Sequence, residues 1–372
     1  NGQPINLYMI LRSNSNSLRD FFLLSSLFLF FRSLSSLIVY KFLSIYDNRI
    51  FSFTDLEVYN KSDLNIFSSN FFYSFFVRII GYNSETLLSF KFLFISFIIS
   101  FITITPFIFL CIKILSKRNS IIFIILLSLH PYLALYSLKL DSNLFATLGV
   151  SSYALWIFYS NKCTFNLSII LNVFCTLFRN ALIPLLWIQF FLIFLFKRDF
   201  TKIKLLGIFS LFILTLSFTS SQIFYGVEYI SQNFGCYSFE NIEKFFQEIS
   251  GPNLSKILSL IFTPFVHLLL NLGAREAIAV YCLDLPSKYA ANNLINLLST
   301  FAFLIFHSIL LIRLLIYIFK DFDIRKLTFL FPFSILLPTL YGTAHMRYLY
   351  PLLPFLIFVQ FLPLNFQILK KI

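Results

Sequence analysis

The chain has 372 residues, of which 58% are hydrophobic and only 12% are charged. A soluble domain carries about 25% charged residues, so this composition excludes a soluble globular fold and predicts an integral membrane protein. The net charge of +13 comes from basic residues scattered between apolar runs. They form no basic stripe, which argues against nucleic acid as a partner and favours positively charged loops beside anionic lipid headgroups.

Continuous apolar runs predict the membrane-spanning helices, because backbone groups in lipid must be hydrogen-bonded within their own segment. The runs 92–110 and 205–222 contain no charged residue, and each is long enough to cross most of a hydrocarbon core of about 30 Å. The sequence predicts about ten such spans, and therefore an all-α, polytopic transmembrane bundle. The predicted spans are 21–45, 87–115, 120–138, 142–160, 165–178, 181–197, 205–222, 290–319, 327–344 and 347–365.

Clusters of Lys and Arg between the runs predict the topology. The positive-inside rule places every cluster, and both chain termini, in the cytoplasm only if the apolar segment 257–273 does not cross the membrane. We therefore expect 257–273 to lie on the membrane surface or to be re-entrant. The prediction is a single transmembrane domain over 1–372, with external segments at 46–86 and 223–288. The clusters are Arg12/Arg19, Lys113/Lys117/Arg118, Lys197/Arg198/Lys202/Lys204, Lys320/Arg325/Lys326 and Lys370/Lys371.

The first external segment carries two acids, Asp55 and Glu57, among apolar residues. A carboxylate at a membrane surface can act as a general base, whereas the alternative interpretation is an ordinary solvated loop. Residues 70–80 follow in the same segment and predict an amphipathic helix at the membrane interface. Its aromatic residues suit the headgroup boundary, and Arg78 can reach a lipid phosphate.

The sequence 129–141, LHPYLALYSLKLD, ends the third predicted span and leads into the fourth. We expect Pro131 to bend the helix there. Lys139 and Asp141 fall on the same predicted side of the membrane as Asp55, where they could serve a substrate. The alternative is structural, with Lys139 extending to the headgroups and Asp141 capping the next helix.

Three further basic residues fall on the external side. Arg179, between the fifth and sixth spans, contradicts the positive-inside trend, and His345 and Arg347 join the last two spans. Ionisable residues at the membrane suggest function, although side chains anchored at the interface are the alternative. Arg32, within the first span, is a charge for which the sequence offers no partner.

The order of these features resembles the GT-C superfamily of polytopic glycosyltransferases, over about 20–200 and 325–365. FTDLEVY, containing Asp55, resembles the acid of that family's first external loop, and NFFYSFFVRII resembles the amphipathic helix after it. LHPYLALYSLKLD resembles the family's Pro-Tyr stretch followed by a basic and an acidic residue. The element at 177–180 is similar to a Thr-Arg-Pro element but lacks its Thr and Pro, and HMRYLYPLLP at 345–354 is similar to a His-x-Arg-Tyr motif.

The resemblance implies a GT-C-like bundle that transfers a sugar, with inversion, from a polyprenyl-phosphate donor to a lipid or glycan acceptor on the periplasmic or luminal face. Asp55 is then the expected catalytic base, with Glu57 as the second candidate, and Asp141 orients the acceptor or binds a metal ion. No cofactor is established, and a divalent cation is left open. The cations expected to hold the leaving phosphate are Lys139, Arg179, His345, Arg347 and Arg78.

We expect a bacterial inner membrane, with the site facing the periplasm. Two other functions remain open at this point. One is an O-antigen or exopolysaccharide polymerase, which would depend on external arginines rather than on Asp55. The other is a non-enzymatic transporter of lipid-linked glycans, for which internal repeats and midplane charges are typical.

Overall fold

The structure is a computed structural model that describes residues 15–46, 71–82, 89–159, 162–197, 243, 247, 252–269, 290–320, 324–336 and 349–363. These residues form helices and short connections, with no strand among them. The α-helices are α1 (Ser15–Tyr46), α2 (Phe71–Ile80), α3 (Phe90–Ile114), α4 (Lys117–Leu129), α5 (Pro131–Ser137), α6 (Ser142–Phe158), α7 (Lys162–Phe178), α8 (Ile183–Lys197), α9 (Pro252–Leu269), α10 (Ala290–Phe319) and α11 (Leu353–Val359). Short 3₁₀ helices lie at Asn180–Leu182, Ile324–Phe329, Phe331–Leu336 and Tyr350–Leu352.

Three helices in the described part of the chain are long and apolar enough to cross a membrane. They contain Ser17–Lys41, Phe90–Ile114 and Ala302–Phe319, which are the first, second and eighth predicted spans. The prediction of a helical membrane protein is therefore confirmed. The other predicted spans coincide with shorter segments, and 205–222 lies outside the described residues, so the total of about ten crossings stays a prediction.

The C-terminal spans differ from their prediction. Of the span predicted at 327–344, the described residues up to Leu336 lie in two 3₁₀ helices, and of the span predicted at 347–365, the described residues 349–363 contain a 3₁₀ turn and the short α11. Pro332, Pro351 and Pro354 fall within these segments, and each removes a backbone donor that a continuous α-helix needs. A proline does not end helix α9 in the same way, since this helix continues through Pro264 to Leu269.

Helix α6 lies at the centre of the bundle and is buried along its whole length. It packs against α3, α7 and the 3₁₀ turn at 350–352. Gly149 permits the close approach of α7, because an ideal Cβ there would lie only 2.7 Å from Asn172 Oδ1. The helices around it turn apolar side chains outward, as Phe30, Ile98 and Ile309 do, which suits contact with lipid.

Pro131 breaks the third predicted span into α4 and α5, which confirms the expected bend. In a continuous helix the Leu127 carbonyl would accept a hydrogen bond from the backbone N–H of residue 131, which proline lacks. Arg32 supplies the missing donor, because its Nη2 donates to the Leu127 carbonyl at 2.6 Å. Ser35 Oγ donates to the next carbonyl, that of Ser128, at 2.7 Å. A cation at a helix C-terminus is favourable, so the charge that the sequence could not place caps a broken helix.

Candidate functional site

The connection between α5 and α6 is the place where predicted site residues gather. Lys139 is 7% exposed and Asp141 is 4% exposed, and the Asp141 backbone N–H donates to the Lys139 carbonyl at 2.9 Å. Lys139 is therefore enclosed by protein. Burying an ammonium group is costly unless it has an anionic or hydrogen-bonding partner.

Asp141 caps helix α6. Its Oδ1 atom accepts hydrogen bonds from the Asn143 backbone N–H at 2.9 Å and from Ser142 Oγ at 3.3 Å. Such a cap satisfies a backbone donor that the first turn of a helix leaves unpaired. The structural interpretation of Asp141 is thus confirmed, and the carboxylate is held at a fixed position.

Arg179 joins the same group from the end of α7. Its Nη1 donates to Ser142 Oγ at 3.2 Å, and Ser142 Oγ in turn contacts Asp141 Oδ1. A guanidinium, a hydroxyl and a carboxylate thereby form one chain of hydrogen bonds across two helices. The structure thus brings together two residues that the sequence predicted for the site, and Ser142 connects them.

Helix α2 holds the α5–α6 connection from the other side. The Tyr73 hydroxyl donates to the Leu140 carbonyl, and the Leu140 N–H donates to the Tyr82 hydroxyl at 3.3 Å. Gly81 ends the helix with φ of 73°, and the Tyr82 N–H bonds to the Val77 carbonyl at 2.8 Å, which is a Schellman motif. Burial, with a further contribution from the charge of Asp141, raises the pKa of Tyr82, which stays neutral.

Aromatic contacts fix α2 beside Arg179. The Phe76 ring lies edge-on to Phe145 at 6.2 Å and to Phe178 at 5.9 Å, and these two rings stack at 4.2 Å. The opposite face of α2 exposes Phe72, among other apolar side chains. The predicted amphipathic helix is therefore present, and it carries the half-buried Arg78.

Tyr350, in the C-terminal motif, lies next to this group. Its hydroxyl lies close to the Ser100 and Thr147 side chains, and it is close enough to Arg32 and Asp141 to interact electrostatically with both. Sequence reasoning considered His345 and Arg347 in this motif but missed the tyrosine. The only local signal was its place directly before Pro351, at the start of a buried turn.

We refer to Tyr73, Tyr82, Lys139, Asp141, Ser142 and Arg179 as the Asp141 cluster. Sequence reasoning missed the two tyrosines and Ser142, although Gly81 next to Tyr82 was a readable helix-end signal. Asp55, Glu57, His345 and Arg347 lie outside the described residues. Within the described ranges, no three His, Cys, Asp or Glu side chains gather into a group that could hold a metal ion.

The cluster can bind an anion, because it combines an ammonium and a guanidinium with hydroxyl groups in a partly desolvated place. Its one carboxylate is committed to the α6 cap through Oδ1. Comparison of the chain with protein-family models, with curated proteins and with solved structures finds no significant match.

Proposed function

We propose that this chain is a membrane glycosyltransferase that moves a sugar from a polyprenyl-phosphate donor to an acceptor hydroxyl, with inversion at the anomeric carbon. The observation that carries the proposal is the hydrogen-bonded chain from Arg179 through Ser142 to Asp141, beside the buried Lys139. This arrangement offers two cations to a lipid phosphate at one end of an apolar helical bundle.

Arg179 and Lys139 would hold the phosphate of the donor. A guanidinium has five N–H donors in a planar fork, and this geometry suits the oxygens of a phosphate. The bond to Ser142 fixes the direction of the side chain, which matters because preorganised charge stabilises a leaving group better than mobile charge. Asp141 acts through Ser142 and Arg179 and is therefore a positioning residue. His345, Arg347 and Arg78 are proposed from the sequence as further phosphate ligands.

In the reaction, the acceptor oxygen attacks the anomeric carbon while the bond from that carbon to the phosphate oxygen breaks. The phosphate leaves with the electron pair, and the acceptor proton passes to Asp55, or to Glu57 as the second candidate. Attack from the face opposite to the leaving group inverts the anomeric configuration.

Turnover in proteoliposomes tests the proposal. The full chain is given a panel of polyprenyl-phosphate hexoses and pentoses together with total membrane lipid as acceptor, and the release of polyprenyl phosphate is measured by thin-layer chromatography. We expect one donor to be consumed and Asp55→Asn to lower the rate at least about 100-fold, because general-base catalysis contributes about that much. Full activity in a folded Asp55→Asn protein would contradict the assignment of the base.

The role of Arg179 needs its own comparison. Arg179→Lys keeps the charge but loses the planar set of donors that can bond Ser142 and a phosphate at the same time. We therefore expect a higher KM for the donor. Arg179→Met loses both the charge and the donors, and it should abolish turnover. If arginine substitutions remove function while Asp55→Asn does nothing, a polysaccharide polymerase replaces the glycosyltransferase as the better assignment.

A further inference from the structure

A small cavity of about 70 Å³ lies between α1, α3 and α4. One acid and one base line it, together with a hydroxyl group and several apolar side chains. The lining residues are Asp20, Leu23, Leu24, Cys111, Ile112, Leu115, Lys117, Ser120 and Ile121. We refer to it as the Asp20 cavity.

The Asp20 cavity and the Asp141 cluster lie at opposite ends of the bundle. The distance between them can be measured along helix α1, which contacts both. Ser36 Oγ lies 2.9 Å from Ser137 Oγ, close to the cluster, whereas Asp20 lines the cavity. The rise of the helix from residue 20 to residue 36 is about 24 Å at about 1.5 Å per residue. That length approaches the thickness of a hydrocarbon core, so the cavity lies at the other membrane boundary, where lipid headgroups are found.

Asp20 indicates the charge of one part of the ligand. Its Oδ1 atom is buried and accepts no hydrogen bond from the residues that the structure describes. A buried carboxylate oxygen is costly unless a donor reaches it. Lys117 lines the same cavity but does not supply that donor, so the acid and the base face one space without neutralising each other through Oδ1.

Lys117 indicates the charge of the other part. It is the first residue of α4, and the first turn of a helix favours negative charge through its N–H groups and its dipole. The neighbouring Arg118 is exposed at the same boundary. This side of the cavity therefore suits a phosphate group, while Leu23, Leu24 and the other apolar side chains suit the start of an acyl chain.

We propose that the Asp20 cavity binds the headgroup of an ethanolamine phospholipid. The primary ammonium donates a hydrogen bond to Asp20 Oδ1, and Lys117 with the first turn of α4 binds the phosphate. A primary ammonium has three N–H donors, whereas the quaternary ammonium of a choline lipid has none. The site should therefore prefer ethanolamine to choline lipids. This inference stands independently of the proposed glycosyl transfer.

Native mass spectrometry of the delipidated full chain in detergent tests it, with dioleoyl phosphatidylethanolamine, phosphatidylcholine and phosphatidylglycerol as probes. We expect the ethanolamine lipid to bind about tenfold more tightly than the choline lipid, because a hydrogen bond to a charged group is worth about that factor. Asp20→Asn should remove this preference, Asp20→Glu should retain most of it, and Lys117→Met should weaken binding of all three lipids.

Arg19→Gln is the matched control, because Arg19 is exposed on the same helix and does not line the cavity. It should leave the preference unchanged. Equal affinity for the ethanolamine and choline lipids would overturn the proposal, as would a preference that survives Asp20→Asn. Phosphatidylglycerol binding as tightly as phosphatidylethanolamine would show recognition of phosphate alone and would overturn it too. Helical circular dichroism of each variant verifies that it is folded.

Discussion

The polar groups near the two ends of helix α1 differ in their hydrogen bonding. At the end near Ser36, the Asp141 cluster pairs its groups with one another, and Tyr73 and Tyr82 bond the Leu140 backbone. At the end near Asp20, a carboxylate oxygen lies buried with no hydrogen-bond donor among the described residues. A paired set of polar groups is a rigid framework that can position a substrate, whereas an unpaired one indicates a ligand that completes it.

Between the two ends, Arg32 shows how the bundle tolerates a charge at membrane depth. Its side chain is 1% exposed, and it replaces the backbone donor that Pro131 removes. Deeply buried ionisable residues are by default candidates for function in membranes. The position of Arg32 has a structural explanation, because its guanidinium bonds the Leu127 carbonyl, which Pro131 leaves without its helical donor.

The largest effect is expected from Gly149→Leu, which disrupts the packing of α6, the helix that carries part of the Asp141 cluster. The α7 side of α6 has no room for the added atoms, since even a Cβ would lie 2.8 Å from Leu182 Cδ1. Overpacking should cost about 3 kcal/mol, measured by thermal unfolding in detergent. Gly149→Ala is the matched smaller change and should cost less, because only the ends of the Asn172 and Leu182 side chains need to shift for one added carbon and alanine favours a helix by about 1 kcal/mol. Lipid binding at the Asp20 cavity should survive in the folded fraction.

A smaller effect is expected from Asp141→Ala, which removes the cap of α6 and the acceptor of Ser142 Oγ. Loss of an N-cap costs about 0.5–2 kcal/mol, again measured by thermal unfolding. Asp141→Asn keeps an acceptor oxygen and should restore most of the stability. If both variants unfold at the wild-type temperature, the cap does not stabilise the paired end and the contrast between the two ends fails.

The smallest effect on stability is expected from Asp20→Asn. Because Asp20 Oδ1 has no hydrogen-bond donor among the described residues, the substitution breaks no protein contact of that atom. In delipidated protein the free energy of unfolding should change by less than about 0.5 kcal/mol. Added phosphatidylethanolamine should stabilise the wild type more than the variant. A large loss of stability without lipid would mean that Asp20 is part of the framework rather than of a ligand site.

Some features of the site were readable locally. Asp-Ser-Asn at 141–143 predicted a cap, Pro131 predicted a break, and residues 70–80 predicted an amphipathic helix, and each of these is present. All three depend on hydrogen bonds or side-chain periodicity within a few residues. In the span predicted at 347–365, the described helical residues run from Tyr350 to Val359, with Pro351 and Pro354 in the first turns.

The sequence alone determined that the chain is helical and belongs in a membrane, because transfer of apolar runs into lipid and backbone hydrogen bonding both act within one segment. Only the tertiary structure decided that Arg179 meets Ser142, that Tyr73 and Tyr82 hold Leu140, and that Arg32 reaches Leu127. The physical reason is that α6 is buried on every side. Because a helix that is buried on every side has no solvent-exposed face, its sequence does not indicate which neighbour each side will contact, so long-range partners appear only once the helices pack.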